Sequence, residues 1–214
     1  DARRRFVSDA SHELKTPLAG IRLLSDSILQ TENMDAQTVR EFVGDIEQES
    51  ERLARITENL LRLMRLDSGL LPEAQRVDLS SVVARVARML RLVAEEKKVD
   101  LSYEVRREGQ TLASEDEIHE IIYNLTENAI KYNHPGGFVK LALAGDEDNC
   151  LLTVSDDGIG IPEEDMPRIF DRFYRVDKMR SRAAGGTGLG LSIAADTARR
   201  RGGSIEVRAR EGGG

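Results

Sequence analysis

Two apolar stripes on either side of a polar break constrain what the first third of this chain can become. Val7, Ala10, Leu14, Pro17, Ile21, Leu24 and Ile28 recur at alternating steps of three and four, the stripe of an amphipathic helix packing in a bundle. Val39, Phe42, Ile46, Leu53, Ile56, Leu60 and Leu63 continue a heptad-like stripe that is interrupted by Glu49. Between them Thr31 to Ala36 is polar, and Asp35 is the expected N-cap of the second helix. Two such helices with a short connection form an antiparallel hairpin. A hairpin has one seam and little else to bury, so two copies are expected to pair into a four-helix bundle. Packing against the rest of the same chain is the alternative, disfavoured because both stripes run the full hairpin length.

Within the first stripe, Phe6 to Leu18 reads Phe-Val-Ser-Asp-Ala-Ser-His-Glu-Leu-Lys-Thr-Pro-Leu. With Val7 and Leu14 at a positions, His12 falls at f and points away from the seam. Glu13 beside it can accept the Nδ1 proton, leaving the Nε2 lone pair nucleophilic near neutral pH. Thr16 lies one turn on, on the same exposed side. Pro17 removes the hydrogen bond to the carbonyl of Glu13 and crowds it, so a bend beside His12 is expected. A plain surface histidine on a bundle helix fits the same pattern. A zinc protease does not, because a His-Glu-x-x-His site needs histidine where Thr16 stands.

At 214 residues the chain can form one large domain or two small ones, each with a core. Charged residues make up 32% and aromatics 4%, with no Trp, which suits long solvated helices. A net charge of −7 argues against a general nucleic-acid binder. The single Cys150 excludes an internal disulfide and points to a reducing compartment. No signal peptide and no apolar run of spanning length is present. Because the chain opens in mid-helix with Asp-Ala-Arg-Arg-Arg, an upstream segment is expected to precede it.

Composition shifts at Asp67 to Gln75, where Ser68, Gly69 and Pro72 mark a linker. The expected domains are therefore 1–67, the helical hairpin, and 76–214. In the second, strands are expected at Val77 to Leu79, Val99 to Val105, Phe138 to Ala144, Cys150 to Ser155 and Ser204 to Ala209. Helices are expected at Ser80 to Ala94, Glu115 to Lys131 and Leu191 to Arg201. This is an α+β fold, a sandwich with helices on one face of a mixed sheet, without the βαβ alternation of a dinucleotide-binding fold.

Three features of that domain suit a nucleotide. Asn124, Asn128 and Lys131 share one helical face opposite the isoleucines, offering neutral oxygens to a magnesium ion and a positive charge to phosphate. Asp156, followed by Asp157-Gly158-Ile159-Gly160-Ile161, sits at a strand end, where a carboxylate could accept an exocyclic amine; an Asx-type turn is the alternative. Gly186-Thr187-Gly188-Leu189-Gly190 opens a helix, the arrangement of an anion site, though it is no Walker A loop; a flexible hinge is the alternative. Between the last two runs a segment longer than an ordinary loop. It holds Phe170, Phe173 and Tyr174 among Arg168, Arg172, Arg175, Lys178, Arg180 and Arg182, the composition of a basic lid over a polyphosphate.

Taken in order, these blocks resemble the catalytic core of a two-component sensor histidine kinase over nearly the whole chain. His12 to Leu18 resembles the H box and Asn124 to Tyr132 the N box. Asp156 to Gly160 resembles the first glycine box, Phe170 to Arg175 the F box, and Gly186 to Leu191 the second glycine box. The resemblance implies a dimeric hairpin followed by a Bergerat-fold ATP-binding domain. It implies that His12 attacks the γ-phosphorus of ATP, with Glu13 orienting the imidazole and taking its proton. Asn128 with Asn124 would hold Mg²⁺, Lys131 would meet phosphate, Tyr132 would pack near the base and Asp156 would read adenine. Gly158, Gly160, Ile161, Arg175 and Gly186 to Gly190 would complete the ATP site. A response regulator receiver domain would dock on the hairpin and accept the phosphoryl group on an aspartate, and Thr16 would position water for its removal. Such a chain is expected to be the cytoplasmic portion of a protein anchored in the bacterial inner membrane, its sensor segment lying upstream.

Related ATPases such as DNA gyrase and MutL carry a water-activating glutamate four residues before the magnesium asparagine. Asn124 stands there in this chain, which disfavours hydrolysis and leaves transfer to a protein nucleophile. Two departures from the family pattern stand out. Asp157 occupies a position where Asn is commoner, and the sequence ends at Glu211-Gly212-Gly213-Gly214, ahead of a final strand whose absence would leave a sheet edge unpaired. A scaffold that binds ATP without phosphorylating itself, and a conformational ATPase, are the competing readings.

Overall fold

The computed structural model describes residues 2–69, 72–146, 149–177 and 186–209. Its first 67 residues are two long helices, α1 (Ala2–Gln30) and α2 (Ala36–Asp67). The break between them forms for the reason the sequence suggests. Asp35 has extended backbone, and its Oδ1 accepts from the N–H groups of Gln37 and Thr38, both at 3.0 Å, satisfying two of the donors that a helix start leaves without partners. Pro17 lies inside α1 with its ring buried. Thr16 Oγ1 donates to the His12 carbonyl at 3.1 Å, a bond back along the helix one residue before the proline.

The second domain continues with β1 (Gln75–Asp78), α3 (Leu79–Glu96), β2 (Asp100–Val105), β3 (Gln110–Ala113), α4 (Glu115–Lys131), β4 (Phe138–Gly145) and β5 (Cys150–Asp156). A 3₁₀ turn at Met166–Arg168 and helix α5 (Gly190–Arg200) follow. Three strands form a mixed sheet in the order β2-β4-β5, with β2 parallel and β5 antiparallel to β4. In the central strand Val139, Leu141 and Leu143 have no exposed surface. Val139 and Leu141 meet Val82, Val83, Val86 and Leu90 of α3 and Ile122, Ala129 and Ile130 of α4. This is the α+β sandwich expected: period-two burial on the sheet facing period-3.6 burial on the helices.

Two differences concern short strands. β3 pairs antiparallel with β1, Gln75 opposite Ala113 and Asp78 opposite Gln110, although four residues are too few to display an alternation in sequence. Ser204 to Ala209, expected as a strand, belongs to no ladder among the described residues. Its alternation survives only as burial, with Ile205 and Val207 half-buried and Ser204, Glu206 and Arg208 exposed. The lid residues Lys178, Arg180 and Arg182, and the end at 211–214, lie outside the described residues. No helix among the described residues is long and apolar enough to cross a membrane.

Candidate active site

Three separate stretches converge at the end of α4. Ile159 N–H donates to the Tyr132 carbonyl at 3.1 Å, tying the turn after β5 to the helix end. That turn is the Asx-type turn foreseen as the alternative for Asp156, whose Oδ1 accepts from Gly158 N–H at 2.9 Å. The bond uses one carboxylate oxygen, and Oδ2 makes none among the described residues, so the turn and a ligand-reading role are compatible. A Cβ on Gly158 would stand 2.6 Å from the Tyr132 carbonyl oxygen, so glycine is what allows β5 and α4 to close here.

The second approach is between α4 and α5. A Cβ on Gly190 would lie 2.8 Å from Asn124 Oδ1, which puts the start of the glycine-rich helix against the asparagine face. Asn124 and Asn128 are half-buried, and their side chains make no hydrogen bond among the described residues. Gly188 has φ +70°, and a Cβ there would stand 2.9 Å from the backbone carbonyl carbon of Phe173, itself at φ 64°. Phe173 N–H donates to the Gly188 carbonyl at 2.8 Å, clasping the aromatic segment to the glycine segment.

Lys131 sits in this groove with its Nζ 5.4 Å from the centre of the Tyr132 ring. Burial, and then the positive charges of Arg55, Arg175 and Lys97, push its amine down from 10.5 to about 8, against the opposing pull of Glu127. A lysine held this way is short of an anion. Asp157 does not aggravate or relieve that shortage, because its Oδ1 accepts from Phe138 N–H at 2.6 Å at the start of β4. That bond, with help from Asn133, holds its carboxyl below the usual range. The departure from asparagine at 157 is thus absorbed as a link between the turn and the sheet.

The hairpin meets this domain directly. Leu63 of α2 is buried with Leu189 and Ile193, and Phe6, Leu60, Leu66 and Phe173 pack around them. The Phe6 and Phe173 rings are 5.9 Å apart. Arg172 reaches Asp67 with both terminal nitrogens, at 2.8 and 3.0 Å, and Asp196 of α5 at 3.1 Å. Asn59 donates to Thr187 at 3.2 Å, and Arg62 pairs with Glu120.

His12 is exposed, as its f position requires. Glu13 is differently placed from the sequence expectation. No hydrogen bond joins it to His12 among the described residues; instead its Oε2 receives Arg175 at 2.6 Å and stands 3.5 Å from Arg52. Arg175 reaches it from the far side of the domain boundary, with its side chain only 4% exposed. Sequence reasoning named Arg175 for the nucleotide and missed Arg52 altogether, although Glu49 breaking the α2 stripe three residues earlier was the available sign.

Comparison with known proteins matches this geometry to a class. Residues 2–69 match the model for the His kinase A phospho-acceptor domain. Residues 113–214 match that for histidine kinase-, DNA gyrase B- and HSP90-like ATPases. With both domains present in that order, the chain belongs to the two-component histidine kinases and comprises their catalytic core. Among relatives, it is 37% identical over 213 residues to the sensor-like histidine kinase SenX3 of Mycolicibacterium smegmatis, covering 99% of this chain and 55% of that protein. Among solved structures it is similar to full-length ShkA in complex with AMPPNP, with TM-score 0.70 and 25% identity over 96% of this chain and 43% of that one. It also shares the fold of histidine kinase ThkA, solved with the response regulator TrrA, at TM-score 0.76 and 20% identity over all of this chain and 61% of that one. The chain spans about half the length of the curated relatives it matches.

Proposed function

We propose that this chain binds Mg·ATP in the groove between α4, the Asp156 turn and the glycine-rich start of α5, and transfers the γ-phosphoryl group to His12. The observation that carries the proposal is the Arg175–Glu13 pair, which joins the nucleotide domain to the residue beside an exposed histidine. In the reaction Nε2 of neutral His12 bonds to phosphorus as the bond to the β–γ bridging oxygen breaks and ADP leaves. The proton remaining on Nδ1 is then acidic, and Glu13 receives it. Glu13 therefore has to exchange its arginine partner for the imidazole before transfer.

Lys131 supplies charge to the phosphates, Asp156 Oδ2 accepts from the adenine amine, and Tyr132 flanks the base. The donor set fits magnesium. Asn124 and Asn128 offer neutral oxygens, and no group of three His, Cys, Asp or Glu among the described residues could hold an ion without help. Such a site leaves most ligands to phosphate and water, the preference of Mg²⁺. When bound, the ion neutralises phosphate charge; the residues on α4 hold it.

From His12 the phosphoryl group passes to an aspartate on a response regulator, a partner of the kind solved with ThkA. The hairpin also leaves Val7, Leu18 and Leu29 exposed along one side of α1 and Val43, Leu61 and Met64 along one side of α2, apolar surface suited to a second copy. Thr16 supports a reverse activity. Its proton is committed to the His12 carbonyl, so its lone pairs are free to receive a water hydrogen and orient that water toward the regulator's phosphate. Incubation with γ-labelled Mg·ATP is expected to give an acid-labile, base-stable phosphoprotein, and label persisting in His12→Ala would remove the assignment. Regulator dephosphorylated as fast by Thr16→Ala as by the parent would remove the reverse activity alone.

A further inference from the structure

Arg52 is a buried cation with little visible reason to be there. It lies on α2, 6% exposed, one turn after Glu49, the polar break in an otherwise apolar seam stripe. Its nearest carboxylates are Glu13 on α1 at 3.5 Å and Glu49 one turn back at 3.8 Å. Neither contact is a hydrogen bond, and the Nε and one terminal nitrogen of Arg52 are buried without a hydrogen-bond partner among the described residues, as is Glu49 Oε2. A buried charged layer of this kind is weak as a source of stability, since desolvation offsets most of the attraction. Unused donors on a buried guanidinium are costlier still.

The unused terminal nitrogen stands 3.5 Å from a carboxylate that another arginine holds. Arg175 takes Glu13 Oε2 at 2.6 Å, and Arg175 belongs to the nucleotide domain, whereas Arg52 belongs to the hairpin that carries His12. A movement of the nucleotide domain that separates Arg175 from Glu13 would leave Arg52 beside the carboxylate. Among the described residues Arg52 has no hydrogen bond from that terminal nitrogen to break, and it has less than an ångström to close before it reaches bonding distance. Both arginines address Oε2, and Oε1 makes no hydrogen bond among the described residues, so that oxygen is left for an imidazole N–H.

We propose that Arg52 is a positioning residue for phosphoryl transfer. It takes Glu13 over from Arg175 as the nucleotide domain moves, holding Oε2 so that Oε1 is fixed toward the His12 ring. Glu49 keeps the guanidinium in the seam during the exchange. The role of Glu13 in this proposal rests on the function proposed above, and the test separates the two.

The experiment is the initial rate of His12 phosphorylation against Mg·ATP concentration for the whole chain and for Arg52→Met, Arg52→Lys, Glu13→Gln and the Arg52→Met/Glu13→Gln pair. Arg52→Met is expected to lower kcat about tenfold or more with KM for ATP changed less than about twofold. Arg52→Lys, which keeps the charge, is expected to recover at least a third of the parent rate. The double variant is expected to be no slower than Glu13→Gln, because Arg52 acts only through that carboxylate. Parent-like kcat in Arg52→Met with activity lost in Glu13→Gln would overturn the proposal, as would losses that multiply in the double variant. Parent-like activity in Glu13→Gln would instead sink the assigned role of Glu13 itself. If Arg52→Met does not fold, Arg52→Met with Glu49→Gln removes both buried charges together and carries the same expectation.

Discussion

Gly188 and Lys131 show how single residues set the site. Gly188 combines φ +70° with a Cβ position 2.9 Å from Phe173 backbone carbon, so Gly188→Ala adds both left-handed strain and a backbone clash. A loss of about 2–3 kcal/mol in chemical denaturation is expected, together with weaker ATP binding, because the clasp to the aromatic segment opens. Lys131 is expected to make nucleotide binding pH-dependent. Its folded value near 8 lies below the ordinary 10.5, so above pH 8 the free protein carries a neutral amine that a polyphosphate draws back to the charged form. ATP binding should therefore take up a proton around pH 8.5, visible in calorimetry as a binding enthalpy that varies with the buffer, and affinity should fall as pH rises further. Lys131→Met should abolish the buffer dependence. The same depression makes stability rise with pH between about 8 and 10.5, where the unfolded chain binds more protons than the folded one.

At the level of elements, the contact between α2 and the nucleotide domain is polar at its edges and apolar at its centre. Leu63 is fully buried there against Leu189 and Ile193, and Leu63→Ala should cost about 2–4 kcal/mol in unfolding free energy. Arg172 is a different kind of contact. Asp67 and Asp196 hold its guanidinium, and their carboxylates raise its already high pKa further. Half-exposed pairs of this sort contribute about 1 kcal/mol or less each, enough to bias docking without fixing it. Arg172→Gln should therefore speed proteolysis at the 67–75 linker and leave ATP affinity within about twofold, and unchanged cleavage would show that the pair does not restrain the domains. The two arginines of this segment divide the work: Arg172 holds the end of α2, and Arg175 holds Glu13.

For the whole molecule, what the sequence discloses and what it hides separate by the range of the interactions involved. The hairpin, its Asp35 cap and the main helices of the sandwich follow from periodicity and local capping, which a sequence carries within a few residues. The exposure of His12 follows from the same heptad phase. β3 is hidden because its four residues are defined by pairing with β1, and the fate of Ser204 to Ala209 is hidden because alternation promises a strand only where a partner edge is engaged. Glu13 was legible as a candidate carboxylate beside His12 but not in its partners, since Arg52 is 39 positions away and Arg175 more than 160. Asp157 read only as a departure from the commoner asparagine, whereas the bond from Phe138 N–H makes it a brace for the sheet. As proposed above, the groove around Asn128 and the exposed His12 work together in phosphoryl transfer. The most direct measurement is mass spectrometry of the intact chain and of its Phe6 to Leu18 peptide after incubation with Mg·ATP. A single added phosphoryl group on His12 is expected; phosphate on another residue, or none despite measured ATP binding, would contradict phosphoryl transfer to this histidine.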